Sequence, residues 1–227
     1  MRILFVAADA MEYRGILARA ADVRRERLPI DFARSGRLGQ HEVLLVANGV
    51  GWKRAAAAVT AADAFVAEAI VSTGFCGALD ETLGIADVVA ATAVCANGRE
   101  HRVEAVEAPH SGVVCSIDHV AQSAEEKRRL RQSGASAVEM EAAAVAEFAR
   151  MRTIPFYCVR AVTDLAGESM ANDFNTALRS DGHFDTMNIL RGVLSRPSVR
   201  FPELIRLRCR CVRASEALGN FFVGCRF

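Results

Sequence analysis

Residues 2–8 read Arg-Ile-Leu-Phe-Val-Ala-Ala. A strand with one wet face alternates apolar and polar residues. A nearly unbroken apolar run at the start of a chain instead fits a central strand buried on both faces. Similar short apolar segments recur at Leu28–Ala33, Glu42–Ala47, Ala69–Ser72, Asp87–Cys95, Gly112–Ile117, Ala137–Met140 and Phe156–Val162. Between them, helices are expected near Ala10–Asp22, over the Ala-rich stretch Trp52–Glu68, over Ser123–Gln132 and over Glu141–Met151. Ser123 with Glu126 three residues on gives the third of these a capping box and marks it as a charged surface helix. Strands alternating with helices predict an α/β fold, a three-layer α/β/α sandwich with a mixed, largely parallel central sheet. From Ala171 the chain reads as helical, with breaks at Pro197 and Pro202. We read residues 1–227 as a single domain with residues 191–227 as a helical C-terminal extension.

The chain has 227 residues, 52% of them hydrophobic, enough for one sizeable core. Its 28 Lys and Arg balance 27 Asp and Glu, so no global attraction draws it to nucleic acid. Lys53 and Lys127 are the only lysines, a coding bias toward arginine. Seven cysteines lie at scattered spacings, and the start of the chain reads as a strand, so reduced thiols in the cytoplasm are expected. Cys209-x-Cys211 lacks a second ligand pair and the five histidines are dispersed, so no metal is expected. No apolar run approaches the roughly 20 residues that span a bilayer.

In an open α/β sheet, ligands bind beyond the carboxyl ends of the strands. Acids gathered there are site candidates, although a single one is more often a cap or a solvated turn residue. Glu12 follows the first strand, and Asp164 follows the strand that ends in Val162-Thr163. Glu139 and Glu141 flank Met140 and would share a face of one strand, a costly pairing unless it binds something such as two sugar hydroxyls. Gly49-Val50-Gly51 is too short a match for a dinucleotide-binding loop, because the third glycine would fall at Arg54. Ser116-x-Asp118-His119 resembles a fragment of a nucleophile triad, but no Gly-x-Ser-x-Gly elbow accompanies it.

Several segments together resemble the superfamily of purine nucleoside phosphorylases and methylthioadenosine/adenosylhomocysteine nucleosidases. Ala137–Ala142 (AVEMEA) resembles its ribose-binding motif, and Arg160–Ala166 (RAVTDLA) its strand carrying the catalytic acid. Val71–Leu79 (VSTGFCGAL) resembles its glycine-rich loop, Asn48–Gly51 its Gly-x-Gly turn, and Ala10-Met11-Glu12 the segment with the water-activating acid. A narrower likeness is to the hopanoid-associated phosphorylases. It rests on Val120–Arg128, Leu178–Gly182 and Phe201–Leu207. Three positions depart from the wider pattern. Gly167 replaces a second Asp, Phe75 a phosphate-binding Ser, and Ser72 an Arg.

The resemblance implies a nucleoside phosphorylase type of fold and cleavage of the N-glycosidic bond of a 5′-substituted adenosine, by water or by phosphate. It implies no cofactor and a homodimer or larger. Asp164 would protonate the purine at N7 and Glu12 would activate water. Glu141 would accept the ribose hydroxyls with Glu139, Met140 would pack beneath the ring, and Thr73, Gly74, Phe75 and Thr163 would line the substrate. The substrate it implies is a small nucleoside or, following the narrower likeness, the lipid-linked adenosylhopane. Methylthioadenosine or adenosylhomocysteine cleavage, and a non-catalytic nucleoside-binding protein, stay open beside it. Arg191–Arg213 carries seven arginines against Glu203, a local charge of +6. The bland reading is a solvated outer helix. The sharper one is peripheral docking on an anionic inner-membrane surface.

Overall fold

A computed structural model describes residues 1–227 and lays ten strands into one mixed sheet. The strands are β1 (Arg2–Ala7), β2 (Ala21–Arg25), β3 (Phe32–Leu38), β4 (His41–Ala47), β5 (Ala69–Ala78), β6 (Val88–Ala96), β7 (Arg99–Arg102), β8 (His110–Ser116), β9 (Ala135–Glu139) and β10 (Phe156–Asp164). The helices are α1 (Arg14–Leu17), α2 (Trp52–Ala61), α3 (Ala124–Gln132), α4 (Ala142–Arg152), α5 (Phe174–Ala177), α6 (Thr186–Ser195) and α7 (Pro197–Gly224). None is long and apolar enough to cross a membrane.

β1 sits between parallel neighbours β4 and β5. Its side chains alternate between two cores. Leu4 and Val6 join the Ala-rich helices α2 and α4 on one face, and Ile3, Phe5 and Ala7 join α7 on the other. Burial on both faces is why the strand is apolar throughout. β5 is the hub. Its first half pairs with β1, its last two residues pair with β9, and β10 runs parallel along its length. Since β10 also pairs with β6, β6 with β8, and β8 with β9, five strands close into a ring. The carboxyl ends of the parallel strands β1, β5 and β10 open on one side, and β9, antiparallel to β5, brings Met140 and Glu141 to the same place.

Four local expectations need correction. No helix spans Ala10–Asp22. A 3-10 turn (Ala10–Tyr13) and the single turn α1 give way to β2, because Asp22 adopts φ 56° and Ala21–Arg25 pairs as an edge strand with β3. β5 continues through Thr73-Gly74-Phe75-Cys76-Gly77 where a loop was expected, since β10 and β9 supply its ladder. Ser123 does cap α3 through the Glu126 N–H, but the Glu126 carboxylate turns to His119 at 2.6 Å instead of completing the box. Pro197 starts α7, whereas Pro202 does not break it. Proline at that point, early in the helix, removes only one bond of a long ladder.

The C-terminal half of α7 returns to the sheet and buries Ala214, Leu218 and Phe222. It crosses α1 backbone to backbone. The Ser215 hydroxyl accepts the Gly15 N–H at 2.9 Å and donates to the Glu12 carbonyl at 3.1 Å, so α7 fixes the turn that carries Glu12. A Cβ at Gly219 would stand 2.3 Å from the Gly15 backbone. Glycine to alanine inside a helix ordinarily stabilises by about 0.5–1 kcal/mol. Here the sign reverses. Gly219→Ala is expected to destabilise by about 1–3 kcal/mol in urea denaturation, as overpacking does. Gly224→Ala, whose Cβ meets nothing within 4 Å, lacks this clash and serves as the control.

Candidate active site

The strand ends surround a cavity of about 350 Å³ lined mainly by apolar side chains. Of the residues expected at a site, Glu12, Phe75, Met140, Glu141, Thr163 and Asp164 line it. Glu12 thus meets Glu141 and Asp164, which lie more than a hundred residues further along the chain, in one apolar enclosure.

Glu12 lies in the 3-10 turn after β1, capped by Asp9. Its Oε2 accepts the Ala8 and Asp9 N–H groups at 2.8 and 3.0 Å, and its Oε1 accepts the Phe75 N–H at 2.6 Å. Gly74 makes this approach possible, because a Cβ there would stand 2.3 Å from Oε1. Burial raises the Glu12 carboxyl above its ordinary range, against the pull of these amides and of Arg160.

Glu141 is the N-cap residue of α4. Its Oε1 accepts the Gly51 N–H at 2.8 Å, and its Oε2 lies 3.8 Å from the Arg160 guanidinium. Burial, reinforced by the neighbouring Glu139 charge, pushes its carboxyl up to about 8. Gly49 and Gly51 both take positive φ, 92° and 95°, so the turn that offered a weak nucleotide motif serves to aim an amide at Glu141.

Glu139 does not join Glu141 on the cavity wall. Its Oε2 accepts the Glu141 and Ala142 N–H groups at 2.9 and 2.8 Å together with the Arg160 guanidinium, and its Oε1 accepts the Ser116 hydroxyl. The expected sharing of sugar hydroxyls by the two acids is therefore corrected, because Glu139 is consumed as a helix cap and counter-ion. Thr73 and Gly74 also stand behind the wall. The Thr73 carbonyl accepts from Arg160, and Gly74 makes room for Glu12.

Asp164 ends β10 beside Gly77, where a Cβ would come within 2.8 Å of its Oδ1. The Thr163 hydroxyl donates to Asp164 Oδ2 at 3.2 Å. The Lys127 ammonium meets Oδ1 and also donates to the Leu165 carbonyl at 2.8 Å. Burial raises the Asp164 carboxyl, with Lys127 pulling the other way.

Sequence reading passed over two cations. Arg160 is wholly buried in β10 and holds Thr73 O at 2.9 Å, Ser72 Oγ at 2.7 Å and Glu139. Its signal was available, since an arginine inside the run Phe156–Val162 has no water to face and requires counter-charges. Lys127 was assigned to a solvated helix, yet it is 1% exposed. Buried Glu12, Glu139, Glu141 and Asp164 thus face only Arg160 and Lys127. With all six charged, the enclosure carries net negative charge and favours a positive charge on whatever it holds.

The family model described as the phosphorylase superfamily matches residues 2–110 and 99–181. The 5′-methylthioadenosine/S-adenosylhomocysteine nucleosidase of Staphylococcus epidermidis is 30% identical over 164 residues, covering 58% of this chain and 72% of that protein. The enzyme of the same name from Staphylococcus aureus is 29% identical over 177 residues, covering 63% and 78%. Among solved structures, an S-adenosylhomocysteine nucleosidase from Streptococcus pyogenes superposes with a TM-score of 0.67 at 23% identity over 97% of both chains. The futalosine hydrolase of Helicobacter pylori superposes with a TM-score of 0.70 at 18% identity over 96% and 95%. These superpositions establish the nucleoside phosphorylase type of fold.

The raised Glu141 carboxyl has a signature in stability. An unfolded glutamate titrates near 4.5, so between that value and about 8 the folded state binds more protons. Stability therefore falls as pH rises through this window. Glu141→Gln removes the group, and thermal melts across the window are expected to show a flatter loss than in the wild type. Parallel pH dependences in the two proteins would contradict the assignment.

Proposed function

The chain belongs to the phosphorylase superfamily, and we propose that it hydrolyses the N-glycosidic bond of a 5′-substituted adenosine. The observation that carries the choice of water is the setting of Glu12. Backbone amides converging at a strand end are an anion-binding device. Here the Ala8, Asp9 and Phe75 amides already hold the Glu12 carboxylate. A phosphate would have to displace an acid of the same charge. A water molecule can instead use a remaining lone pair of Glu12 and lose its proton there.

The other acids fit the same reaction. Breaking the bond builds positive charge on the ribose and negative charge on the base. Glu141, with one oxygen on the Gly51 amide, can accept ribose hydroxyls with the other and stabilise the sugar cation. Met140 and Phe75 supply apolar surface for the nucleoside. Asp164 delivers a proton to N7, which makes adenine a better leaving group.

The finer reading of the substrate rests on the cavity mouth. Met170, Phe184, Ile189 and Leu207 line it, and Leu190, Leu194, Phe201 and Ile205 stand exposed on α6 and α7 nearby. Such a rim favours a bulky apolar 5′ group, as in the adenosylhopane implied by the narrower resemblance, over a small polar one. The exposed arginines of the same helices, Arg206 and Arg208 among them, favour transient contact with an anionic bilayer, each adding about 1 kcal/mol near its surface. A homodimer or larger assembly in the cytoplasm completes this reading.

Incubation with methylthioadenosine, adenosylhomocysteine and an adenosyl-lipid in phosphate buffer tests the proposal. Adenine and free sugar are the expected products, and Asp164→Asn is expected to lose on the order of 10²-fold or more in turnover. Sugar 1-phosphate as the main product would overturn the choice of water. No adenine from any of the three would overturn the enzymatic reading.

A further inference from the structure

The Lys127–Asp164 contact poses a chemical problem for the proposed reaction. An aspartate whose Oδ1 is met by an ammonium is a carboxylate, and a carboxylate has no proton to give. The cation concerned is also unusual for this chain. Apart from Lys127 and exposed Lys53, every strong cation is arginine. A guanidinium keeps its protons at any pH a folded protein meets, whereas a desolvated ammonium can release one.

We propose that Lys127 is the positioning residue that holds Asp164 and supplies the proton Asp164 delivers. This inference rests on the nucleosidase reading. The pair shares one transferable proton, either as ammonium and carboxylate or as amine and carboxylic acid. As the C1′–N9 bond breaks, its electron pair passes to the purine and Asp164 gives N7 its proton. Lys127 has by then lost that proton to Oδ1, so the pair ends as neutral amine and carboxylate. The proton taken from water by Glu12 leaves to solvent, and solvent restores one to the pair, so the cycle closes without net change.

A second cavity of about 110 Å³ reaches Asp164 from the α7 side and gives solvent a route to the pair. The other ionisable groups facing Asp164 are Glu168 from the turn after β10, Arg210 and Cys211 from α7, and Cys76 from β5, and Glu203 and Arg206 of α7 line the rest of this cavity. Arg210 grips Glu168 at 2.6 and 2.8 Å and holds its carboxyl down to about 2, while burial pushes both thiols far up. Glu168, Arg210 and the two thiols therefore keep their charge states near neutrality. Glu12 and Glu141, across the cavity, titrate in every variant and drop out of a comparison between variants.

The test compares wild type, Lys127→Met and Lys127→Arg on two substrates over a range of pH. Methylthioadenosine needs its base protonated. 4-Nitrophenyl β-D-ribofuranoside releases an anion that does not. Both variants are expected to lose on the order of 10²-fold in kcat on methylthioadenosine. They should nearly keep their kcat on the nitrophenyl riboside, which also reports that they fold. The alkaline limb of the methylthioadenosine profile should move to lower pH in Lys127→Met, where Asp164 alone must hold the proton. Equal losses on the two substrates, full activity of Lys127→Arg, or an unmoved alkaline limb would each overturn the inference while leaving the nucleosidase reading intact. A wild type that frees neither adenine nor nitrophenolate would overturn that reading and this inference together.

Discussion

The charge of Arg160, buried in the middle of β10, is the constraint on which the rest of the site depends. A guanidinium taken wholly out of water is tolerated only when counter-charges and acceptors meet it, and removing one partner of such a buried pair costs about 3–5 kcal/mol. Arg160 is met by Ser72 and Thr73 on β5, by Glu139 at the end of β9, and at longer range by Glu141 at the head of α4. Those contacts fix the register between the ends of β5, β9 and β10. Glu139 then caps α4, which sets Glu141 against the Gly51 amide and so joins the turn after β4 to the same assembly. A single cation thereby ties three distant stretches of chain, at Gly51, Ser72–Thr73 and Glu139–Glu141, to β10.

From this follows a division of labour between acids that look alike in sequence. Glu139 is satisfied on both oxygens and acts as structure. Glu12, Glu141 and Asp164 each keep capacity toward the cavity, and burial raises the carboxyl of each. The closeness is made possible by absence of side chains at Gly74 and Gly77, which lets β5 pass within hydrogen-bond range of Glu12 and Asp164. The enclosure that results is apolar in lining and, with its carboxyls ionised, negative in charge. It is suited to a reaction in which a neutral substrate becomes a cation at the sugar, because such an environment strengthens with the developing charge and needs no reorganisation.

Much of this was legible in the sequence, and what was missed has physical reasons. The run Arg2–Ala8 announced a strand covered on both faces, and the alternation of strands and helices announced the layers. Glu12, Glu141 and Asp164 were legible as a group, because all three follow apolar strand ends, although any one of them alone reads as a cap or a turn acid. Glu139 was misjudged because spacing along a strand reports a shared side but not which oxygen a helix terminus will claim. Lys127 was hidden among the charges of α3. Helical periodicity cannot mark it as buried when the feature that buries it is Asp164, 37 residues away. The Ala10–Asp22 segment failed as a helix because its end is drawn into pairing with β3, while Gly15 in the single turn that remains packs on α7, some 200 residues further on. Long-range contacts of this kind leave no local trace.

The central claim is that the buried acids form a site for a sugar cation. Affinity measurements test it most directly, using two analogues of a 5′-substituted adenosine of nearly the same shape. One carries a protonated nitrogen in place of the ring oxygen, and the other is neutral. Analogues that capture features of a transition state bind about 10²-fold or more tightly than ground-state mimics. The account predicts a preference of that order for the cation in the wild type, and its collapse in Glu141→Gln. Equal affinity of the wild type for the charged and neutral analogues would contradict it.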